Sequence, residues 1–241
     1  MNRNVVIYGA GGTIGSALAR AFAADGATLF LVGRHQPALD KVAAEIADLG
    51  GGVHVAEVDA LDAAEVEAHA GSIPRIDVSL NVIGLGELQG VSLIDLAPDE
   101  FTRPVTDRVR TQFLTATAAA RRMVIRGSGV VLLLTASSAK LAGPMMGGFG
   151  VACAAIEGFT RNLAGELGPQ GVRVVCLRSN YIPETHPDVE IGGDHYLVEG
   201  TLLGRLPTLA QLCGAAVFAA SEDAGAMTGA VLNLTCGAIL D

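Results

Sequence analysis

The segment Tyr8-Gly9-Ala10-Gly11-Gly12-Thr13-Ile14-Gly15 carries the plainest chemical signal in this chain. Glycines allow a backbone to come close to a pyrophosphate, and a helix that opens at such a turn offers free amides and the positive end of its dipole. A second signal lies at Val32-Gly33-Arg34-His35, where no Asp or Glu is present to bond the hydroxyls of an adenosine ribose. A guanidinium there suits a 2′-phosphate, so Arg34 favours NADP over NAD, with NAD still open.

Groups able to move a proton are scattered through the second half. Ser138 and Lys140 precede one long helical stretch, Tyr181 follows an apolar run, and Glu184, His186, Asp194, His195 and Tyr196 fall in the segment Pro183 to Thr201. Histidine titrates near neutrality and a phenol can donate a proton, so Ser138, Tyr181, His186 and His195 are candidate acid-base residues. Cys153, Cys176, Cys213 and Cys236 form no Cys-x-x-Cys pair and have no histidine at ligand spacing, so they read as small buried hydrophobes, and no metal is expected.

Short apolar runs alternate with amphipathic stretches and must position these groups. Val5 to Tyr8, Thr28 to Val32, Val53 to Val58, Val78 to Ile83, Val130 to Leu134, Val172 to Leu177 and Val231 to Leu234 read as strands. Helices are expected over Ile14 to Ala24, Pro37 to Leu49, Ala63 to Ala70, Asp99 to Arg126, Gly150 to Leu167 and Leu209 to Ala220. The alternation predicts an α/β chain: one Rossmann-type, doubly wound domain spanning residues 1–241 around a seven-stranded parallel sheet. Right-handed crossovers gather the loops that leave the strands along one edge, where ligands bind in such folds, and Pro183 to Thr201 reads as a lid over that edge.

Composition narrows the function classes. Hydrophobic residues make up 50% of the 241 positions and charged ones 17%, which suits a sheet covered on both faces and argues against disorder. Only Lys41 and Lys140 are lysines and the formal charge is -9, so no basic stripe exists to follow nucleic acid. The apolar runs are far shorter than the roughly 20 residues of a spanning helix, and the first strand begins too early for a signal peptide. No membrane association and a cytoplasmic location are therefore expected.

Taken in order, the glycine turn, Asp59-Ala60, Asp77-Val78-Ser79-Leu80-Asn81-Val82-Ile83-Gly84, Leu203-Gly204-Arg205-Leu206 and Thr228-Gly229-Ala230-Val231-Leu232-Asn233 resemble the landmarks of the short-chain dehydrogenase/reductase family, over essentially the whole chain. The resemblance implies an NAD(P)-binding oxidoreductase, assembled as a homo-oligomer, a tetramer or a dimer, through its long helices. It implies that Gly9, Gly12, Thr13, Ile14 and Gly15 wrap the pyrophosphate, that Asp59 meets the adenine and that Asn81 lies beside the nicotinamide-side ribose. Ala60, Val82 and Ile182 complete the implied cofactor-binding set, with Arg34 at the 2′ position.

The same resemblance exposes departures. The family's catalytic Asn, Ser, Tyr and Lys fall by spacing on Arg108, Ala136, Phe149 and Cys153, and its Pro-Gly turn on Ser179-Asn180. Phe149 has no proton to give, and Cys153 cannot supply the positive charge that makes the family's Tyr acidic. Ser137 or Ser138 could restore a hydroxyl if the following loop were slightly shorter, whereas the spacing of the related enoyl reductases places Met146 at the Tyr. Arg108 could clamp a carboxylate or phosphate. Two readings stay open: an enzyme drawing on other acid-base residues, redox or not, and a pseudoenzyme that binds NADP(H) as a sensor or structural subunit.

Overall fold

The computed structural model describes residues 3–48, 50–86, 88–193 and 195–241. Seven strands form one parallel sheet: β1 (Asn4–Tyr8), β2 (Thr28–Gly33), β3 (Val53–Glu57), β4 (Val78–Asn81), β5 (Gly129–Ala136), β6 (Val172–Ser179) and β7 (Val231–Leu234), in the order β3-β2-β1-β4-β5-β6-β7. The helices are α1 (Thr13–Ala24), α2 (Gln36–Asp48), α3 (Ala63–Ser72), α4 (Pro98–Arg126), α5 (Phe149–Leu167), α6 (Tyr196–Glu199) and α7 (Leu209–Ala220). This is the doubly wound α/β arrangement expected. The end of α2, read at Leu49, lies outside the described residues.

Strand alternation divides the core. Val5 and Ile7 of β1 point to one face, where Leu18 and Phe22 of α1, Leu39 and Ile46 of α2 and Leu212 of α7 cover them. Val6 and Tyr8 point to the other, under Val66 of α3, Met123 of α4 and Ile156 of α5. Both faces of the central strands are buried, which is why they read as nearly unbroken apolar runs.

Several element ends differ from expectation, and each has a local cause. β4 stops at Asn81 rather than Ile83, because the Asn81 carboxamide oxygen accepts from the Ile83 amide at 3.1 Å and turns the chain. β5 and β6 run on to Ala136 and Ser179, which face each other in register. The segment read as an irregular lid contains a short 3-10 turn at Pro183–Thr185 as well as α6. Asp194, named with that lid, lies outside the described residues.

Among the described residues, no helix is long and apolar enough to cross a membrane, and no group of three His, Cys, Asp or Glu could hold a metal ion.

Candidate nucleotide and reaction site

The strand order reverses between β1 and β4, so α1 and α4 leave toward opposite faces and a crevice opens at the carboxyl edge. Gly9 follows β1 with φ 87°, and a Cβ there would lie 3.0 Å from the Ile83 amide, so the turns after β1 and β4 touch only because Gly9 is glycine. Gly15 is tighter still: a Cβ would fall 2.1 Å from the Gly9 carbonyl.

Gly12 is the N-cap of α1 and offers no side chain to its amides. Elsewhere the chain does cap: Asp62 accepts from Ala64 and Glu65 at the start of α3, and Thr208 accepts from Gln211 at the start of α7. The opening amides of α1, beside exposed Thr13 and half-buried Ile14, are therefore left for an anion. A cradle closed to any side chain, under an uncapped helix, fits a dinucleotide pyrophosphate.

Arg34 is exposed after β2 and, with Glu57, Asp59 and Glu65, lines a recess of about 570 Å³. Asp59 is fixed from both sides, its amide donating to Glu65 at 2.8 Å and its carboxylate accepting from the Leu61 amide at 3.0 Å, above buried Ala60. Across the crevice Asn81 is buried. Its amide group donates to Thr115 at 3.0 Å, its carbonyl accepts from Gln112 at 3.1 Å, and half-buried Val82 follows. The Gln112 Oε1 is enclosed without a hydrogen-bond partner.

At the far end Phe149 opens α5. Flanking glycines let it approach its neighbours, since a Cβ on Gly148 would lie 2.3 Å from the Phe101 carbonyl and one on Gly150 2.8 Å from that of Ser138. The Arg108 guanidinium from α4 lies 5.0 Å from the Phe149 ring centroid, a cation–π contact. One and two turns along the same face of α5 stand Cys153 and Glu157, both buried.

Glu157 meets Arg178 of β6 in a bidentate pair, Nε to Oε1 at 2.7 Å and Nη2 to Oε2 at 2.8 Å. Arg178 is 1% exposed. Its Nη1 donates to Asp241 at 2.6 Å, and Asp241 pairs in turn with Lys140. The bonds to Glu157 raise the Arg178 pKa further and keep it charged, while the contact with Lys140, followed by that with Arg178, lowers the Asp241 pKa. Burial pushes the adjoining Cys176 thiol up to about 12, so it stays protonated. The sequence reading missed this cluster. It ended the sixth strand at Leu177, one residue short of Arg178; an arginine within a buried strand is the signal that would have found it.

Beside it, Ala136 ends β5 opposite Ser179. The Ser137 hydroxyl donates to the Asn180 carboxamide oxygen at 3.0 Å, and the Tyr181 amide donates to the same oxygen at 2.9 Å. The Ser137 hydroxyl, one of the two proposed as replacements, thus spends its proton on Asn180 in this structure. Ser138 is half-buried in the next 3-10 turn, by Gly150. The Ser179 Oγ and the Tyr181 Oη are both enclosed without a hydrogen-bond partner among the described residues, and burial raises the Tyr181 pKa.

The Tyr181 ring stacks on His186, centroids 4.7 Å apart at 20°. Ile182 is buried in the core, and the 3-10 turn that follows it packs against α1. Of the proposed acid-base residues, then, Tyr181 and His186 are brought together. His195 is engaged locally instead, accepting from the Leu197 amide at 3.3 Å as the cap of α6, with its ring against Tyr196.

A family model described as Enoyl-(Acyl carrier protein) reductase matches residues 9–238. The chain is 31% identical over 240 residues to galactitol 2-dehydrogenase (L-tagatose-forming) of Cereibacter sphaeroides, covering 96% of this chain and 92% of that protein. A short-chain type dehydrogenase/reductase from Mycobacterium marinum superposes with TM-score 0.85 at 28% identity, over 96% of this chain and 93% of its own. A gluconate 5-dehydrogenase from Burkholderia cenocepacia J2315, solved in complex with NADP and tartrate, gives TM-score 0.89 at 25% identity over 99% and 96%.

Proposed function

The chain belongs to the short-chain dehydrogenase/reductase family, and from that premise we propose that it is a nicotinamide-nucleotide-binding oxidoreductase, favouring NADP(H), whose proton transfer bypasses the family's Tyr and Lys positions. The observation that carries the cofactor assignment is the glycine cradle beneath the uncapped start of α1. The solved gluconate 5-dehydrogenase, with its bound NADP, supports the same reading. In it Gly9, Gly12, Thr13, Ile14 and Gly15 hold the pyrophosphate, Asp59 and Ala60 border the adenine, Asn81 and Val82 border the second ribose, and Ile182 flanks the nicotinamide. The nicotinamide would supply or accept a hydride.

Phe149 and Cys153, with Arg108 and Ala136, stand at the family's four catalytic positions, and Phe149 cannot release a proton. The second reading, a pseudoenzyme that only binds NADP(H), rests on those four replacements. A homo-oligomer is part of the proposal. Val151 and Phe113 are each 48% exposed on α5 and α4, and Ala154 and Ala155 are exposed beside them, whereas Ile156 belongs to the core.

The test is a fluorescence titration of NADPH and NADH. NADPH is expected to bind more tightly, with Arg34→Ala removing most of the preference, on the order of tenfold for one lost phosphate contact. The recess that holds Arg34 also carries Glu57, so Glu57→Gln is expected to strengthen NADPH binding. Equal affinities in the unmodified protein overturn the assignment of Arg34.

A further inference from the structure

Tyr181 ends in a hydroxyl that is enclosed and has no hydrogen-bond partner among the described residues. A polar atom enclosed without a partner costs stability. The Tyr181 hydroxyl is not alone, because the Ser179 Oγ two residues earlier is enclosed and unpartnered as well. Ser179 ends β6 and Tyr181 lies on the turn that leaves it at the carboxyl edge, joined to the end of β5 through Ser137 and Asn180. The 3-10 turn that follows, Pro183–Thr185, packs against α1. The segment thus links the carboxyl end of β5 to α1, the helix that the glycine cradle opens.

The neighbouring imidazole is set up in one tautomer. The Thr185 hydroxyl donates to the Ile182 carbonyl at 2.7 Å, so toward His186, at 2.8 Å, it can only accept. The His186 Nδ1 therefore carries a proton and donates it to the Thr185 oxygen. The ring lies flat against the phenol and fixes its orientation.

We propose that Tyr181 is the proton donor of this protein's carbonyl reduction, held in place by His186 as a positioning residue; the proposal rests on the nicotinamide-binding reading above. In the step, a carbonyl carbon gains a hydride with its electron pair from a dihydronicotinamide, which is thereby oxidised. The π pair moves to the carbonyl oxygen, and the Tyr181 O–H bond breaks as its proton passes to that oxygen. An alcohol results, and the phenolate takes a proton from water. The substrate class is a small ketone or aldehyde, whose carbonyl oxygen can accept the phenolic proton.

The chain has three tyrosines, Tyr8, Tyr181 and Tyr196, so ring-carbon-labelled tyrosine gives a readable NMR spectrum without turnover. Adding NADP⁺ with 2,3-butanediol is expected to shift one resonance, identified as Tyr181 by its loss in Tyr181→Phe, while buried Tyr8 stays put. In parallel, NADPH oxidation is followed with 2,3-butanedione, p-nitrobenzaldehyde and cyclohexanone. Tyr181→Phe should lower kcat at least about a hundredfold with NADPH affinity unchanged. His186→Ala should lower kcat with little change in KM, and His186→Phe, which keeps a stacked ring, should restore most of it.

Wild-type protein that binds NADPH but reduces none of the three probes overturns the donor role, whether or not the resonance moves. So does a Tyr181→Phe protein with wild-type kcat. Wild-type protein that binds no NADPH overturns the cofactor reading and this proposal with it.

Discussion

The two ends of the crevice are built from different materials. At the β1–α1 end the groups offered to a ligand are main-chain amides, and the sequence has only to supply glycine where a Cβ would collide, as at Gly9 and Gly15. At the β5–α5–β6 end the groups are side chains: Phe149 under Arg108, the Arg178–Glu157 pair, and the hydroxyls of the turn after β6. A site made of backbone keeps its chemistry through almost any substitution elsewhere. One made of side chains is rewritten by a few replacements while the fold beneath it persists.

That contrast can be broken most forcefully at Glu157. Glu157→Ala leaves Arg178 charged inside the protein and is expected to cost about 3–5 kcal/mol, read from urea unfolding. NADPH affinity of the protein that remains folded should not change, because the cradle shares none of these groups. A loss under about 1 kcal/mol would mean that water reaches Arg178 and that the two ends are equally soft.

A smaller effect comes from moving one end's chemistry to the other kind. Gly12→Asp gives α1 the cap that α3 already has in Asp62, and the added Cβ meets only the Gly9 carbonyl at 3.5 Å. Thermal stability should hold or rise by a few tenths of a kcal/mol. NADPH binding should weaken by about tenfold or more, since the carboxylate takes the amides and repels phosphate. In Asp62→Ala the opposite is expected, a loss of about 0.5–2 kcal/mol with binding intact. Tight binding by Gly12→Asp would place the pyrophosphate elsewhere.

The smallest effect is one of pH. Lys140 and Arg178 hold the Asp241 carboxyl below its ordinary range, so the folded state binds its proton less readily than the unfolded chain. The resulting stability is present above the unfolded value, about 3.9, and is lost as pH falls through the lower folded value. Melting temperatures of wild type and Asp241→Asn should therefore differ at neutral pH and converge in acid. Parallel curves down to the lowest pH would show that Asp241 does not titrate with folding.

Much of the fold was legible because hydrophobic period and glycine placement are local signals. Val5 to Tyr8 and Val231 to Leu234 read as strands without help from the rest of the chain, and the cradle was legible for the same reason. Ends were harder where a side chain decides them, as Asn81 does by bonding the Ile83 amide. Less was legible at the β5–α5–β6 end. That Phe149 cannot donate a proton is a property of one residue, but the pairing of Glu157 with Arg178 and Asp241, or the stacking of Tyr181 on His186, depends on which segments the folded sheet brings side by side.

The clasp formed by Lys140, Asp241 and Arg178 also bears on time. Its contacts join positions 101 and 63 residues apart, the kind that close only after the chain between them is ordered. An interaction made after the folding barrier leaves the rate of folding alone and slows the reverse passage. The clasp should thus act as a brake on opening: without it the protein would assemble as fast and survive for less long.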